Sequence, residues 1–323
     1  MDIDVTGSKI VIADDSFIIL KKLEMFLLNL GYQVFTASDG KQALELIDKV
    51  NPDLIILDLY MPFIDGVEVC RIVKNDESTC LVPVIILTSS SSKDDKNLAI
   101  SVGANDFINK TYETVELKLK VESLLKLKHA IDHLENANNI IRSLAKAVEV
   151  KDKYTEGHAE RVSLYAAQIG MKLKLSEQQI KDLAMAGLLH DIGKIGIVDT
   201  ILNKTGRLTE EEFNTIKQHP VIGEEICSPI KSFERVKKII RHHHEKLNGK
   251  GYPDGIDGSN ICIEIRIMTV ADIYDALTSD RSYRDAMGRE MAIAILEQAV
   301  SNGEVDQNIV SALKEIIHED YEC

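Results

Sequence analysis

Apolar and polar positions follow two different rhythms along this chain. In the first 125 residues, short runs of branched apolar residues are separated by amphipathic stretches of helix length. Lys9–Ala13, Gln33–Ala37, Asp53–Leu57, Val82–Leu87 and Asp106–Ile108 read as strands, and the segments between them as helices. Several of these strands are apolar without alternation, which suits a parallel sheet covered on both faces. The pattern predicts a doubly wound α/β domain on a five-stranded parallel sheet, with its site at the carboxyl ends of the strands.

The spacing changes at Leu117. One heptad frame puts Leu117, Leu124, Ile131, Asn138 and Ala145 at a, and Lys120, Leu127, Leu134, Ile141 and Val148 at d. Apolar residues fill most of these positions over about four heptads, which predicts a two-stranded coiled coil over residues 117–148. Asn138 at a would fix register and favour a parallel homodimer. A long helix packed on its own domain would show a similar pattern. Beyond residue 150 the rhythm is helical throughout. Ser176 with Gln179 and Thr209 with Glu212 form capping boxes. An all-α bundle of roughly seven helices is expected. The domain limits that follow are 1–125, a signalling helix at 126–148, and 149–323.

Composition narrows the classes. At 45% hydrophobic and 28% charged, the 323 residues are those of an ordinary globular protein. The net charge of −14 disfavours nucleic acid and anionic membrane surfaces as partners. No apolar run approaches the roughly 20 residues of a membrane span. Met1–Asp4 is acidic and polar, unlike a secretory signal. Cysteines 70, 80, 227, 262 and 323 form no C-x-x-C pair, so reduced thiols in a cytoplasmic protein are expected. None of the nine histidines precedes His129, and six lie between 158 and 244. The two halves therefore carry different chemistry.

In the first half, Asp14 and Asp15 close the first strand, Asp58 the third, Thr88 the fourth and Lys110 the fifth. Three carboxylates at one sheet edge form a hard oxygen site suited to Mg²⁺. A carboxylate beside such a metal can attack a phosphoryl group. Singly, each residue has an ordinary reading: an Asp-Asp pair before a helix commonly caps it. Together, Ala13-Asp14-Asp15, Leu57-Asp58-Leu59-Tyr60-Met61-Pro62, Asp65-Gly66, Thr88-Ser89 and Asn109-Lys110 resemble the receiver domain of two-component response regulators. The resemblance implies that Asp58 accepts phosphate from a cognate histidine kinase and that Asp14, Asp15 and Asp58 hold Mg²⁺. It implies that Thr88 and Lys110 sense the phosphoryl group, with Phe107 at the aromatic switch position. Thr111 stands where the family has proline, so a cis bond after Lys110 is not expected.

In the second half, histidines are paired with acids. His190-Asp191 ends an apolar helical run, His219 precedes Pro220, and His242-His243-His244-Glu245 follows a helix starting near Phe233. Adjacent helical residues point about 100° apart. His190 and Asp191 can share a metal only at a helix end, which Gly193 permits. Asp272 sits in an apolar helix and needs a metal or a base beside it. Imidazoles with carboxylates select Mn, Fe or Zn. A lone His-Asp pair is common by chance and a triple His can be a solvated face.

The set as a whole is more specific. Tyr154-Thr155-Glu156-Gly157-His158 with Arg161-Val162, His190-Asp191-Ile192-Gly193-Lys194, His219-Pro220 and His243-His244-Glu245 form its first part. Gly249-Lys250-Gly251-Tyr252-Pro253, Ala271-Asp272 with Asp275, and Arg281-Ser282-Tyr283-Arg284 complete it. This set resembles the HD-GYP phosphodiesterases. The resemblance implies hydrolysis of cyclic di-GMP to linear pGpG at two divalent metals, Fe or Mn. The ligands would be His158, His190, Asp191, His219, His243, His244 and Asp272, with Asp191 bridging. Lys194 would contact the scissile phosphate, and Arg281 and Arg284 would hold phosphate or guanine. Tyr252 would be structural or would mediate contacts with diguanylate cyclase-type partners. Asn248 replaces the family's Asp, and Tyr154 stands where some members carry a third-metal glutamate, so a binuclear site is expected. The alternatives are a non-catalytic sensor or interaction module, and a phosphodiesterase of another cyclic nucleotide.

Overall fold

The computed structural model describes residues 4–89, 93–152, 157–280 and 286–319. Residues 1–137 and 138–323 form two compact units.

The first unit is the predicted α/β domain. Strands β1 (Lys9–Ala13), β2 (Gln33–Ala37), β3 (Leu54–Asp58), β4 (Val84–Thr88) and β5 (Asp106–Asn109) are all parallel, in the order β2-β1-β3-β4-β5. Between them run α1 (Phe17–Asn29), α2 (Gly40–Val50), α3 (Gly66–Asn75) and α4 (Lys93–Ser101). Val11, Ile55, Leu57, Val84 and Ile86 bury one face of the sheet; Ile10, Ile12, Leu54, Ile56, Ile85 and Leu87 bury the other. That two-sided burial is why these strands are apolar without alternation. β3 and β4 end one residue later than expected, so Asp58 and Thr88 are themselves the last strand residues. The strand order reverses between β1 and β3, which opens a crevice at their carboxyl ends.

Helix α5 (Thr114–Lys151) has 38 residues. Its heptad positions do not form one free seam. Leu117, with Val121 and Leu125, is buried in the core of the first unit, and Leu124 packs against it. Ala145 and Val148 are buried, Val148 within the core of the second unit. Leu127 and Leu134 are exposed. The apolar periodicity is thus largely spent on the chain's own cores, and the stripe left over spans fewer heptads than the sequence implied.

The second unit contains α6 (His158–Lys172), α7 (Glu177–Leu189), α8 (Asp199–Leu202), α9 (Glu210–Ile216), α10 (His219–Cys227), α11 (Glu234–His242), α12 (Ile263–Thr278), α13 (Arg289–Ser301) and α14 (Gln307–Glu319). Nine helices follow α5 among the described residues, where about seven were expected; α8 is a single turn too short for periodicity to reveal. Both capping boxes form, at the starts of α7 and α9. The core gathers Val162, Ala166 and Ile169 of α6, Leu183 and Ala186 of α7, Ile239 and Ile240 of α11, and Ile267, Met268 and Ala271 of α12. Among the described residues no helix is long and apolar enough to cross a membrane.

Candidate metal centres

In the first unit, Asp14 follows β1 and Asp58 ends β3, on either side of the crevice. Ligand oxygens of Asp14, Asp15 and Asp58 lie within 4.8 Å of one another. The Lys110 ammonium, just beyond β5, is 2.8 Å from both Asp14 Oδ2 and Asp58 Oδ2. Burial raises the Asp58 carboxyl above the ordinary range; the Lys110 hydrogen bond opposes the shift, and the charge of Asp14 adds to it. Thr88 is buried, and its carbonyl accepts from the Lys110 N–H at 2.7 Å. Phe107 is half-buried, with the Lys120 ammonium of α5 5.7 Å from its ring centroid. Among the described residues the only cis bond is Tyr252–Pro253, so Lys110–Thr111 is trans as expected.

In the second unit, six elements converge. His158 is the first residue of α6, and His190 is the C-cap of α7. Asp191 opens a 3₁₀ turn over Ile192–Gly196. His219 starts α10, with Pro220 where its missing N–H costs nothing. His243 and His244 follow α11, and Asp272 lies within α12. The helix-end argument for His190-Asp191 holds. Gly193 contributes differently from expectation: its backbone is not left-handed, but a Cβ there would lie 1.9 Å from the His219 carbonyl oxygen. That close approach sets His219 Nε2 3.3 Å from Asp191 Oδ1.

The imidazoles are oriented by their outer nitrogens. Nδ1 of His190, His219 and His243 lies 2.7–2.8 Å from the carbonyl oxygens of Gly187, Ile216 and Ile240. Each Nδ1–H donates to its carbonyl, which leaves Nε2 as a lone pair facing inward. Nε2 of His158 lies 3.2 Å from that of His190, and Nε2 of His219 lies 3.3 Å from that of His243. The facing lone pairs of His219 and His243 repel at that distance unless a cation is shared between them. Ligand atoms of His158, His190 and Asp272, of His190, Asp191 and His243, and of His219, His243 and His244 each lie within 4.8 Å of one another. This spacing and donor set fit divalent transition metals. The Asp191 carboxylate faces both sides, Oδ2 toward His190 at 3.5 Å and Oδ1 toward His219.

Charge follows the same plan. Burial would raise Asp191 and Asp272, yet the surrounding bases outweigh it and hold both well below the usual carboxylate range. For Asp191 the largest counterweight is Lys194, whose ammonium lies 2.7 Å from Asp191 Oδ2 and 2.7 Å from Asp152 Oδ2. Burial opposes charge on His158, but hydrogen bonds to Asp272 and Asp275 prevail and lift it to about 9. Burial drives His244 down to about 3 and lowers His219 and His243 as well. A cavity of about 360 Å³ opens over these groups. Its other wall is apolar, made by Ile216, Ile273, Ala276 and Leu277.

Three supporting residues escaped the sequence reading of roles. Asp275, one turn after Asp272 and fully buried, lies 2.7 Å from His158 Nδ1 and accepts from Arg161 Nε at 2.6 Å. Its signal was the one used for Asp272, an acid in an apolar helix. Glu245 is buried and accepts from the N–H groups of Asp254, Gly255 and Ile256 at 2.8–3.3 Å, which folds the loop after it. A Cβ on Gly251 would lie 2.4 Å from Glu245 Cα, so only glycine lets that loop close. Tyr252 is then laid against His244, with ring centroids 4.7 Å apart. Asn248 Oδ1 accepts from the Lys250 N–H at 3.1 Å and shapes the same loop. Arg281, Arg284 and Tyr154 lie outside the described residues.

Family models match both units: a response regulator receiver domain over residues 10–122 and an HD domain over 142–309. The chain belongs to the response regulators that carry an HD domain. This HD-domain response regulator is 34% identical over 313 residues to the cyclic di-GMP phosphodiesterase response regulator RpfG of Xanthomonas campestris pv. campestris (strain 8004). The match covers 90% of this chain and 83% of that protein. It is 31% identical over 319 residues to a cyclic di-GMP phosphodiesterase of Thermotoga maritima, covering 89% of this chain and 85% of the relative. A third relative, 3'3'-cGAMP-specific phosphodiesterase 3 of Vibrio cholerae, is 39% identical over 179 residues, 55% of this chain and 39% of its own.

Proposed function

We propose that this protein is an HD-GYP-type, metal-dependent cyclic di-GMP phosphodiesterase whose receiver domain regulates hydrolysis. The observation that carries it is the position of Asp191: its two oxygens face two separate imidazole groups at the floor of a cavity, with an ammonium beside them. His158, His190 and Asp272 would hold one divalent metal, His219, His243 and His244 the other, with Asp191 shared between them. When bound, such a pair supplies an acidified water and polarises the phosphoryl oxygens.

The residues of the chain do the rest. Lys194 keeps its proton, because burial is outweighed by Asp191 and Asp152 and its pKa is raised. It serves as a hydrogen-bond donor to a phosphoryl oxygen and not as a base. Asp191 and Asp272 stay ionised throughout the working range and so remain ligands. The apolar wall of Ile273, Ala276 and Leu277 suits the face of a nucleobase. Arg281 and Arg284 would hold phosphate or guanine with their planar forks. Water adds to one phosphorus, the P–O3′ bond breaks, the 3′ oxygen takes up a proton, and linear pGpG is released.

In the receiver domain, Asp58 would accept a phosphoryl group from a histidine kinase with Mg²⁺ held by Asp14, Asp15 and Asp58, and Thr88, Lys110 and Phe107 would report it. The domain limits supporting this division of labour are 1–125, 126–148 and 149–323. Pairing of two chains would use the exposed Leu127 and Leu134 of α5. Contacts with cyclase-type partners would fall to the exposed Lys250 and Asp254, since Tyr252 faces His244.

The test is hydrolysis by anaerobically purified protein, with metal content measured on the same sample and His190→Ala alongside. About two metals per chain and His190-dependent pGpG production are expected. Bound metal and nucleotide without turnover would favour a sensor. The relative specific for 3'3'-cGAMP favours one second reading, hydrolysis of that dinucleotide, which a substrate panel separates.

A further inference from the structure

The last turn of α5 grips the metal-ligand segments from outside. Glu149 Oε2 accepts from the Gly157 N–H at 3.0 Å, and Oε1 from the Ala159 N–H at 2.8 Å. One carboxylate thus brackets His158. It replaces a local cap, because Gly157, the N-cap of α6, offers no side-chain bond. Two residues on, the Lys151 ammonium lies 3.2, 2.8 and 2.6 Å from the carbonyl oxygens of Lys194, Ile195 and Ile197. These carbonyls close the turn that follows His190-Asp191. An ammonium has three donors, and here all three are used on backbone. Asn203 Nδ2 in turn donates to the Lys151 carbonyl at 3.0 Å.

The first turns of the same helix are fixed elsewhere. Leu117, Val121 and Leu125 are buried in the core of the first unit. Lys120 Nζ lies 2.7 Å from Asp106 Oδ1 and 3.2 Å from the Phe107 carbonyl oxygen, both on β5.

We propose that Glu149 and Lys151 are positioning residues through which α5 sets the metal site, Glu149 by placing His158 and Lys151 by placing the Asp191–Lys194 turn. The proposal rests on the phosphodiesterase assignment above. A hydrogen bond weakens steeply with a shift of a few tenths of an ångström past its range or a tilt of its axis. A slide or rotation of α5 therefore reaches the segments of His158 and of Asp191 at once. Neither residue lines the cavity over the cluster, so each acts through the group it places.

The experiment uses the full chain: wild type, Glu149→Ala, Glu149→Gln, Lys151→Met and Arg142→Ala. Arg142 also joins α5 to α6, through an exposed pair with Glu160, and serves as the control. Affinity for Co²⁺ is read from its visible absorption, and kcat and KM are measured with and without beryllofluoride as a phosphoryl mimic. Glu149→Ala is expected to lower Co²⁺ affinity and kcat by about tenfold or more while KM stays nearly constant. Glu149→Gln, which keeps one acceptor oxygen, should fall between and keeps the test open should the alanine variant not fold. Lys151→Met should lower kcat about tenfold and bring the ratio with and without beryllofluoride close to one. Arg142→Ala should match wild type. Unchanged Co²⁺ affinity in both Glu149 variants, together with a wild-type beryllofluoride ratio in Lys151→Met, overturns the proposal. A wild type that binds Co²⁺ yet cleaves no cyclic dinucleotide overturns the phosphodiesterase assignment instead, and the Co²⁺ affinities still decide this one.

Discussion

The two acidic sites of this protein treat their carboxylates in opposite ways. At the sheet edge, Asp14 and Asp58 share one lysine, and burial together with its acidic neighbours raises Asp58. In the helical unit, Asp191, Asp272 and Asp275 meet Lys194, Arg161 and a ring of imidazoles, and all three are held low despite burial. The first site is short of positive charge around a buried Asp58, which is what the proposed acceptance of a phosphoryl group there would need. The second has its carboxylates matched by bases and its imidazoles locked by backbone carbonyls. Such a site suits resident cations, whereas the first suits an exchangeable one.

The largest effect expected from breaking this contrast is at Asp191. Asp191→Ala removes the group facing both imidazole sets and leaves Lys194 paired with Asp152. Loss of bound metal and a fall in turnover of at least about 10³-fold are expected. Turnover retained at a normal metal load would remove Asp191 from the centre. Asp275 comes next. It touches His158, the proposed ligand, from behind, so Asp275→Ala should cost about 10–100-fold in metal affinity. Isothermal titration with Mn²⁺ measures it, and an unchanged affinity would reduce Asp275 to a partner of Arg161.

Much of this was legible in the sequence, for identifiable reasons. The strands were readable because a sheet buried on both faces leaves no polar position between Ile10 and Ala13 or between Leu54 and Leu57. His190 and Asp272 stood out because ionisable residues in or at the end of apolar helical runs need a purpose, whereas His219 and His243 stood out only as members of the whole motif set. What stayed hidden depends on approach in space. Asp275 meets Arg161 across 114 residues, and Glu149 caps a helix other than its own. The heptads of α5 were ambiguous because apolar residues at a and d look the same whether another chain or the protein's own core covers them. Leu117 and Val148 turn out to be core, Leu127 and Leu134 not.

The two sites should also respond with opposite sign to loss of charge. For an acid raised in the folded state, ionisation costs stability. The cost is complete above the raised folded value and is relieved as pH falls through it toward the ordinary carboxylate range. Asp58→Asn should therefore raise the receiver's unfolding midpoint. Asp272→Asn should lower the midpoint of the helical unit, because an acid held low contributes stability that is lost only as pH falls. Differential scanning calorimetry at pH 7 gives both signs, and a destabilised Asp58→Asn would contradict the charge imbalance drawn here. The same variant should abolish any response of hydrolysis to a phosphodonor.

The smallest expected effect separates packing from chemistry at Tyr252. Its ring lies against His244, and the Lys217 ammonium sits 5.8 Å from its centroid. Burial raises its hydroxyl above the ordinary phenol range, so it stays protonated and is no base. If the ring's work is to hold His244 in place, Tyr252→Phe keeps that contact and should change kcat by less than about threefold, whereas Tyr252→Ala should cost about tenfold in metal affinity. Equal losses in both variants would assign the work to the hydroxyl. The loop that Glu245 folds would then serve the site through a polar group, and the packing of the ring on His244 would be incidental.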